Sequence, residues 1–415
     1  MGSLLASAFV VALGYGIVLP VLPMMVERLA GSTDPAFNAR QIGLLTAAYV
    51  AAPVGAAFLW GKWSDSIGRR PVLVVGLAGF AVTLAASALA PNLLVLYVGR
   101  ILNGGFAAAV GPMALAFIAD TEGGADTEGE DDRRTRAFGW MSMASIAGFL
   151  VGPMLGGLAA ELNFDLGVAA VAPQAVPFFL ASGLASVAAL GVWFALPDKL
   201  PGARAEVSKS GSPMFAPGEL RLLALAAVAA AGLGAFEVGL TLRNVELAMG
   251  PAALGLMFAT CSVVMFAVQG LVFSPLVKPA AARSLVPPAF LVMAVGLAAM
   301  SKLAALREML FAVSAVSASA GVISPLLAYW VSRISARSQG MELGIQSAAV
   351  SLGLSVGSAA AGLLFGSHRL EGAAFLVAAA AMGLAAIASL RLRPPPAPER
   401  QEARPAPANQ TDAAI

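Results

Sequence analysis

The sequence predicts an all-α membrane protein in which twelve transmembrane helices form two pseudo-symmetric six-helix bundles. Three observations support this prediction: the composition, the number of long apolar segments and an internal repeat. Of 415 residues, 59% are apolar and 12% are charged, and the mean hydropathy is +0.84. A soluble domain carries about 25% charged residues, so the composition excludes a soluble enzyme and a disordered scaffold. The net charge of only +2 gives no reason to expect a nucleic-acid partner.

Twelve segments are long and apolar enough to cross a bilayer, which takes about 20 residues. The first six are predicted at 4–24, 41–60, 71–90, 93–118, 138–160 and 172–196. The second six are predicted at 222–242, 252–277, 285–303, 309–331, 343–366 and 372–390. The expected domains are an N-terminal bundle (1–197), a cytoplasmic linker (198–218), a C-terminal bundle (219–392) and a disordered cytoplasmic tail (393–415).

The first apolar segment starts so close to Met1 that we expect a membrane span there and not a cleaved signal peptide. We also expect a few further residues to precede it in the natural chain. The single cysteine, Cys261, excludes an intrachain disulfide, and the single histidine, His368, excludes a His-rich metal site. No metal or cofactor is therefore expected. A phosphate-binding glycine loop is missing from the sequence, so ATP is not the expected energy source.

The distribution of basic residues predicts the orientation, because cytoplasmic loops carry an excess of Lys and Arg. Most of the 25 Lys and Arg residues fall on the side that carries both termini, in the linker, the tail and the even-numbered loops. The opposite side has Arg28, Arg40, Arg243, Lys302, Arg307 and Arg369. Both termini are predicted to be cytoplasmic in a multi-pass protein of the inner (plasma) membrane.

An internal repeat relates the two halves. In the predicted fifth span, Gly148 and Gly152 have the same spacing as Gly353 and Gly357 in the eleventh. Spans 4 and 10 also share a small residue followed by proline. The first half has a longer loop after its fourth span, the acidic segment 120–136, to which we assign no function. Parallel repeats of this kind are common in transporters.

The loop between spans 2 and 3 resembles the G-x-L-x-D-R-x-G-R-K/R signature of the major facilitator superfamily. The matching residues are Gly61, Asp65, Gly68, Arg69 and Arg70, while positions 63 and 66 depart from the signature. The resemblance implies that these residues form a cytoplasmic gate that breaks and re-forms during transport. In that gate, Asp65 would pair with a nearby arginine or with a helix N-terminus. The alternative is that the segment is only a solvated turn, whose basic residues reflect the excess of Lys and Arg in cytoplasmic loops.

Other segments resemble the twelve-span drug:proton antiporters of this superfamily. Span 4 resembles the second motif of the superfamily, R-x-x-Q-G. The match starts at Arg100 and has Asn103 in place of the glutamine. Span 5 resembles the antiporter motif through Gly148, Gly152, Pro153, Gly156 and Gly157. Span 1 is similar to that of the tetracycline and multidrug exporters. The tetracycline exporters have an acidic residue early in span 1, and residues 6–16 here have none, which argues against tetracycline as the substrate.

Two ionisable residues, Arg100 and Glu237, are predicted to lie well inside spans. Such residues cost about 2.5–3.5 kcal/mol to insert and are functional candidates by default. Both are expected about 8–10 Å below the outer surface. The hypothesis is that Glu237 is the main protonatable carboxylate and that Arg100 biases its protonation. The alternatives are that Arg100 extends to the interface, and that span 7 ends before Glu237.

The remaining polar residues inside spans are candidates for the substrate cavity. They are Tyr15, Asn103, Gln269, Ser317, Ser319, Tyr329 and Gln346. Each of them could instead make an interhelical contact. Few polar groups in an apolar cavity favour a weakly polar, amphiphilic ligand.

The predicted function is a secondary active transporter that exports small amphiphilic molecules in exchange for protons and works as a monomer in the lipid bilayer. The first alternative is a symporter, a facilitator or an exporter of a specific metabolite such as a siderophore. The second is a non-transporting sensor on the same fold. A membrane enzyme is not expected, because the spans contain no clustered carboxylates and the one histidine lies in a loop.

Overall fold

The computed structural model describes residues 1–122, 128–161, 173–197, 218–272, 279–334, 339–365 and 372–390. Nearly all of the predicted linker, the predicted tail and His368 lie outside these ranges. The described residues form α-helices, one short 3-10 turn (Pro173–Ala175) and no strand. The helices of the first half are α1 (Gly2–Val18), α2 (Leu22–Ala30), α3 (Pro35–Ile67), α4 (Arg69–Ala88), α5 (Leu93–Ala107), α6 (Val110–Glu122), α7 (Glu128–Glu161) and α8 (Val176–Ala195). Those of the second half are α9 (Glu219–Glu246), α10 (Pro251–Val272), α11 (Pro279–Met300), α12 (Leu306–Ile334), α13 (Gln339–Phe365) and α14 (Ala373–Ser389).

Every predicted span coincides with a helix. In the described part of the chain, nine helices are long and apolar enough to cross a membrane, with α5 and α6 counted as one. A tenth span is the bent pair α1 and α2. Shorter apolar helices occupy the two remaining predicted positions, the ninth at Ser284–Met300 and the twelfth at Ala373–Ser389. The predicted all-α fold of twelve membrane helices is therefore confirmed.

The first span differs from the prediction because it is broken. We expected one helix over 4–24, but α1 ends at Val18 and α2 starts at Leu22, with a bend of 51° between them. The break coincides with Pro20, and Pro23 lies in the first turn of α2. Proline lacks the backbone donor of a regular helix and clashes with the preceding turn, so these residues account for the bend.

The second span is longer than predicted. Helix α3 has 33 residues, which corresponds to about 50 Å, whereas the hydrocarbon core is about 30 Å thick. The side chain of Asp34 caps the start of this helix by accepting a hydrogen bond from the amide of Ala36. Gly68 ends the helix with a φ of +98°, a conformation that favours glycine. Helix α3 is therefore long enough to extend past the hydrocarbon core at one end or both.

Glycines bring two helix pairs into backbone contact, one pair in each half. In α1–α7 and in α9–α13, glycines of the later helix face backbone carbonyl groups of the earlier one. The contacts are Gly148 with Phe9, Gly152 with Leu13, Gly353 with Ala227 and Gly357 with Ala231. The repeat predicted from the spacing of these glycines therefore corresponds to equivalent packing, and both pairs run parallel. Such small-residue packing is typical of membrane helices.

The two bundles touch at one end of the molecule. We call the end where α1 begins and α14 ends the terminal face, and the other end the opposite face. Near the opposite face, a Cβ atom on Gly43 of α3 would lie 2.6 Å from the Cα of Gly362 of α13. A Cβ on Gly157 of α7 would lie 2.5 Å from the carbonyl oxygen of Pro251 of α10. The halves are thus closed against each other at the opposite face.

The same four helices diverge towards the terminal face. Gly55, Gly139, Gly270 and Gly344 lie on α3, α7, α10 and α13, on the side of the terminal face. A Cβ on any of them would meet no atom within 4 Å. The interface between the bundles therefore opens towards the terminal face.

A larger side chain at Gly43 is expected to open the opposite face. Because leucine at this position would clash with Gly362, the Gly43→Leu variant should populate the conformation in which the bundles separate there. The measurement is the maleimide labelling rate of a Leu242→Cys reporter, placed at a buried position near the opposite face, in a Cys261→Ser background. We expect a several-fold faster rate.

Gly183→Leu is the matched control for this experiment, because a Cβ on Gly183 meets open space. It should leave the labelling rate unchanged. Equal rates in the two leucine variants would contradict the idea that the contact between Gly43 and Gly362 holds this face closed.

Candidate transport site

A cavity of about 560 Å³ lies between the two bundles. Helices α1, α3, α6, α7, α9, α10 and α13 contribute to its wall, which is mostly apolar. Its polar side chains are those of Tyr15, Tyr49, Ser142, Ser145 and Glu237. The lining residues of α1 lie between Ala8 and Tyr15 and those of α7 between Met141 and Phe149, which places the cavity at the middle of both helices.

Glu237 is buried in this wall and bonded across the two halves. The Tyr15 hydroxyl donates a hydrogen bond of 2.6 Å to Oε2 of Glu237. Only 4% of Glu237 and 8% of Tyr15 is exposed. Helix α9 continues past Glu237 to Glu246, so this carboxylate is not at a helix end. Tyr15 belongs to the first bundle and Glu237 to the second, so this bond connects the bundles at the cavity.

Arg100 lies nearby in α5 but forms no ion pair with Glu237. Its guanidinium carbon is 4.4 Å from the ring centroid of Tyr49, and Tyr49 stacks on Tyr15 with 4.9 Å between centroids. Two tyrosine rings therefore separate the cation from the carboxylate. Arg100 is 1% exposed, so it does not extend to the interface, and its three guanidinium nitrogens have no hydrogen-bond acceptor among the described residues. A desolvated cation over an aromatic ring gains about 2 kcal/mol or more.

Of the predicted cavity residues, only Tyr15 lines this cavity. Asn103 donates hydrogen bonds of 3.0 Å to the carbonyl oxygen of Phe80 and to Oγ1 of Thr83 in α4. It therefore makes the interhelical contact that was the alternative role.

The other predicted cavity residues lie elsewhere in the second bundle. Ser317 donates to the carbonyl oxygen of Val313 within its own helix, and so does Ser319 to that of Ala315. Tyr329 is 42% exposed, and Gln269 and Gln346 are half-buried. None of the five is part of the cavity wall described above. The position of a polar residue along a span indicates how deep it lies in the membrane. The sequence does not show which face of the helix the residue occupies.

Sequence reasoning missed the aromatic residues of the site. Tyr49 and Phe149 stack on either side of Tyr15, with centroids 4.9 and 5.9 Å away, and Phe149 meets Phe258 edge-on at 6.5 Å. Phe149 gave no signal, because phenylalanine is ordinary in a membrane helix. Tyr49 could have been found, since it is one of only four tyrosines and lies within a predicted span.

The residues of the predicted gate lie at the terminal face. Arg69 forms a 2.7 Å ion pair with Asp65 and also donates to the Ser64 hydroxyl. The Asp65 side chain is 69% exposed, so this pair contributes little to stability. Arg70 donates to the backbone carbonyl of Trp193 in α8, and its guanidinium carbon lies 4.9 Å from the Trp193 ring centroid. These contacts all lie within the first bundle. A Cβ on Gly61 would meet open space.

The residues of the antiporter motif pack helices together. Gly148, Gly152 and Gly156 face carbonyl groups of α1, and the ring of Pro153 packs against Gly16 of the same helix. Gly157 and the backbone carbonyl of Pro153 face α10 of the other bundle. For example, a Cβ on Gly255 of α10 would lie 2.8 Å from the Pro153 carbonyl oxygen. The motif therefore fixes α1, which carries Tyr15, against α7, and joins α7 to the second half.

The family model described as Major Facilitator Superfamily matches residues 4–278 and 222–414. The chain belongs to this superfamily, as its motifs indicated, and it is a multi-pass membrane transporter of small molecules rather than an enzyme.

Two curated relatives and one solved structure illustrate the similarity. Multidrug resistance protein 2 of Bacillus subtilis (strain 168) is 26% identical over 375 residues, which cover 87% of this chain and 88% of the relative. The class E tetracycline resistance protein of Escherichia coli is 35% identical over 188 residues, or 45% of this chain and 41% of that protein. The crystal structure of a D-xylose–proton symporter superposes with a TM-score of 0.74 at 16% identity, covering 95% of this chain and 97% of that one, which shows a shared fold.

A methyl group at Gly148 is expected to destabilise the protein. Because alanine there would press on the Phe9 carbonyl, Gly148→Ala should lower the free energy of unfolding by about 1–3 kcal/mol. Gly139→Ala is the control on the same helix, since a Cβ at Gly139 meets open space. The midpoint of thermal unfolding in detergent measures both. A fall of equal size in the two variants would contradict the packing role.

Proposed function

We propose that the chain is a proton-coupled exporter of small amphiphilic organic molecules, working by alternating access in the inner (plasma) membrane with both termini in the cytoplasm. The observation that supports this function best is the buried hydrogen bond between Tyr15 and Glu237 at the wall of the central cavity. It combines a titratable group, a ligand-sized cavity and a contact between the two moving halves.

The cavity suits an amphiphilic ligand. Its volume of about 560 Å³ is within the usual range for small-molecule sites, and its wall is mostly apolar with a few polar groups. Tyr15, Tyr49 and Phe149 add three aromatic rings to this wall. Such a wall binds a ligand mainly through apolar contact and selects weakly by hydrogen bonding.

Proton coupling follows from the chemistry of the bond. When Glu237 is ionised, both of its oxygens accept hydrogen bonds, and the Tyr15 hydroxyl supplies one donor. When the carboxyl group is protonated, it gains an O–H donor but can still accept from Tyr15, and the bond weakens because its acceptor is no longer charged. Because the bond joins the bundles, protonation changes a contact between them, and the change in water access between conformations changes how readily Glu237 is protonated.

Arg100 is proposed to act through the tyrosine pair. Its charge lies against Tyr49, which stacks on Tyr15, the donor to Glu237. Arg100 therefore influences the carboxylate as a positioning residue, through the orientation of the two rings.

The positive-inside rule assigns the terminal face to the cytoplasm, so the conformation described above is inward-open. The gate residues Asp65, Arg69 and Arg70 lie at this face, where their contacts would break and re-form as the cytoplasmic side opens and closes. Because the antiporter motif packs α1 against α7, these two helices would move together during alternating access.

Ethidium accumulation in inverted vesicles tests the function. We expect uptake that requires an imposed proton gradient. The Glu237→Gln variant should lose gradient-driven accumulation, because the amide cannot take up a proton, and should keep downhill ethidium flux. Glu308→Gln, at an exposed carboxylate outside the cavity, should behave as wild type.

Ethidium accumulation that does not depend on the proton gradient would contradict proton coupling and favour a facilitator. Wild-type accumulation in the Glu237→Gln variant would remove Glu237 from the mechanism. Complete failure to move ethidium and tetracycline would favour a specific metabolite transporter or a sensor.

Tyr15→Phe tests the hydrogen bond separately from the stacked ring. Phenylalanine preserves the stacking on Tyr49 but removes the donor to Glu237, so gradient-driven accumulation should fall several-fold and its pH profile should move, while ethidium binding changes little. The control is Tyr97→Phe, which removes a similar 2.7 Å bond to Gln41 within the first bundle. If both variants transport alike at every pH, the Tyr15 hydroxyl has no part in coupling.

A further inference from the structure

A second cavity, of about 830 Å³, lies at the opposite face. We call it the vestibule. One side of its wall comes from α2 and α3 of the first bundle, and the other side comes from the end of α9, the turn before α10, and α14 of the second. It shares no lining residue with the central cavity. The vestibule is therefore a separate space that both bundles build together in this conformation.

The charges of the vestibule wall favour a cation. Two carboxylates, Glu27 and Glu246, line it together with one cation, Arg243. Arg243 is already engaged, because it forms a 2.7 Å ion pair with Glu246 and donates a 3.1 Å bond to the carbonyl of Leu303. Among the described residues, Glu27 has no salt-bridge partner within 4.0 Å. Among the described residues of the wall, the negative charges thus exceed the positive charges by one.

Two side-chain amides add hydrogen-bond acceptors to the wall. The Nδ2 group of Asn244 donates a 3.0 Å bond to the Gly250 carbonyl, and that of Asn38 donates a 3.1 Å bond to the Ser32 carbonyl. These bonds fix both amides, and neither Oδ1 atom receives a hydrogen bond from the described residues. Asn244 is only 4% exposed, so its unsatisfied oxygen is costly unless a donor reaches it.

The rest of the wall is apolar. Phe365 and Phe375 of the second bundle and Met24 and Ile42 of the first contribute to it. An excess of negative charge, acceptors without donors and an apolar wall together match a ligand that has a positive charge, several N–H donors and an apolar body. A protonated amine on an aromatic or aliphatic group has this chemistry.

We propose that the vestibule is a second binding site, specific for protonated amines, and that its occupant stabilises the conformation closed at the opposite face. Both bundles supply its wall, so separation of the bundles there would divide the site. A ligand that binds only the intact vestibule favours the closed conformation. An amine on this side would therefore slow the transport cycle. This inhibition rests on the proposed function, whereas the binding itself does not.

The test uses 2-phenylethylamine, which is protonated at pH 7, and 2-phenylethanol as the uncharged analogue. Isothermal titration calorimetry on the purified full-length protein in detergent measures both. We expect binding of the amine with no matching signal from the alcohol. Glu27→Gln should weaken amine binding about fivefold, as expected for a partly exposed charge pair, and Asn38→Ala should weaken it as well.

Two further variants separate the vestibule from other sites. Glu308→Gln removes an exposed carboxylate that does not line the vestibule, and Glu237→Gln changes the central cavity. Both should bind the amine as wild type does. Failure of ethidium export together with normal amine binding would contradict the proposed function and leave the vestibule site intact.

Three results would overturn the proposal. The first is equal binding of the alcohol and the amine, and the second is the absence of amine binding. The third is binding that persists in Glu27→Gln but is lost in Glu237→Gln, since the amine would then occupy the central cavity. As a conformational check, the amine should slow labelling of a Leu254→Cys reporter, which is buried near the opposite face and does not line the vestibule. Faster labelling would contradict stabilisation of the closed face.

Discussion

A carboxylate buried between two helix bundles is stable only if the surrounding structure compensates for its lost hydration. Here that group is Glu237, and the donor that reaches it comes from Tyr15 in the other bundle. The stacking of Tyr15 between Tyr49 and Phe149 holds the hydroxyl in place. This bond lies in the cavity wall and connects the two halves. Arg100 reaches it through the stacked rings of Tyr49 and Tyr15. Our account of coupling depends on the bond, because it is the place where a proton changes how the bundles interact.

Small residues make this arrangement possible. The glycines of α7 let α1 approach at backbone distance, which sets the position of Tyr15, and the glycines of α13 do the same for α9, which carries Glu237. Each half therefore presents its part of the bond on a closely packed helix pair. The contacts between halves at the opposite face also use glycine, with little side chain to interlock. Such smooth contacts suit surfaces that must separate and meet again.

Hydropathy and charge predicted most of the fold, because the bilayer requires an apolar helix of fixed length for each crossing. All twelve spans were found in this way. The break at Pro20 was not, since the apolar run continues through it and its angle depends on tertiary packing. The spacing of Gly148 and Gly152 indicated the repeat, and the structure added the backbone carbonyls they meet.

The candidate site was harder to predict. The sequence indicates how deep a residue lies within a span, but it does not show which face of the helix carries that residue. Glu237 and Arg100 were identified by their cost in the membrane, but the tyrosine pair between them became visible only in three dimensions. Asn103 has the right depth but turns to α4. The vestibule was invisible to sequence reasoning, since its residues come from chain segments far apart and its acceptors are ordinary asparagines.

The role of Glu237 in coupling is tested by the number of protons released when ethidium binds to the purified protein in weakly buffered solution. If ligand and proton compete through Glu237, binding should release up to about one proton per ligand at a pH where the carboxyl group is protonated in the free protein, and the Glu237→Gln variant should release none while still binding ethidium. Equal proton release by the wild type and the variant, or no release by either, would contradict the assignment of Glu237 as the coupling carboxylate.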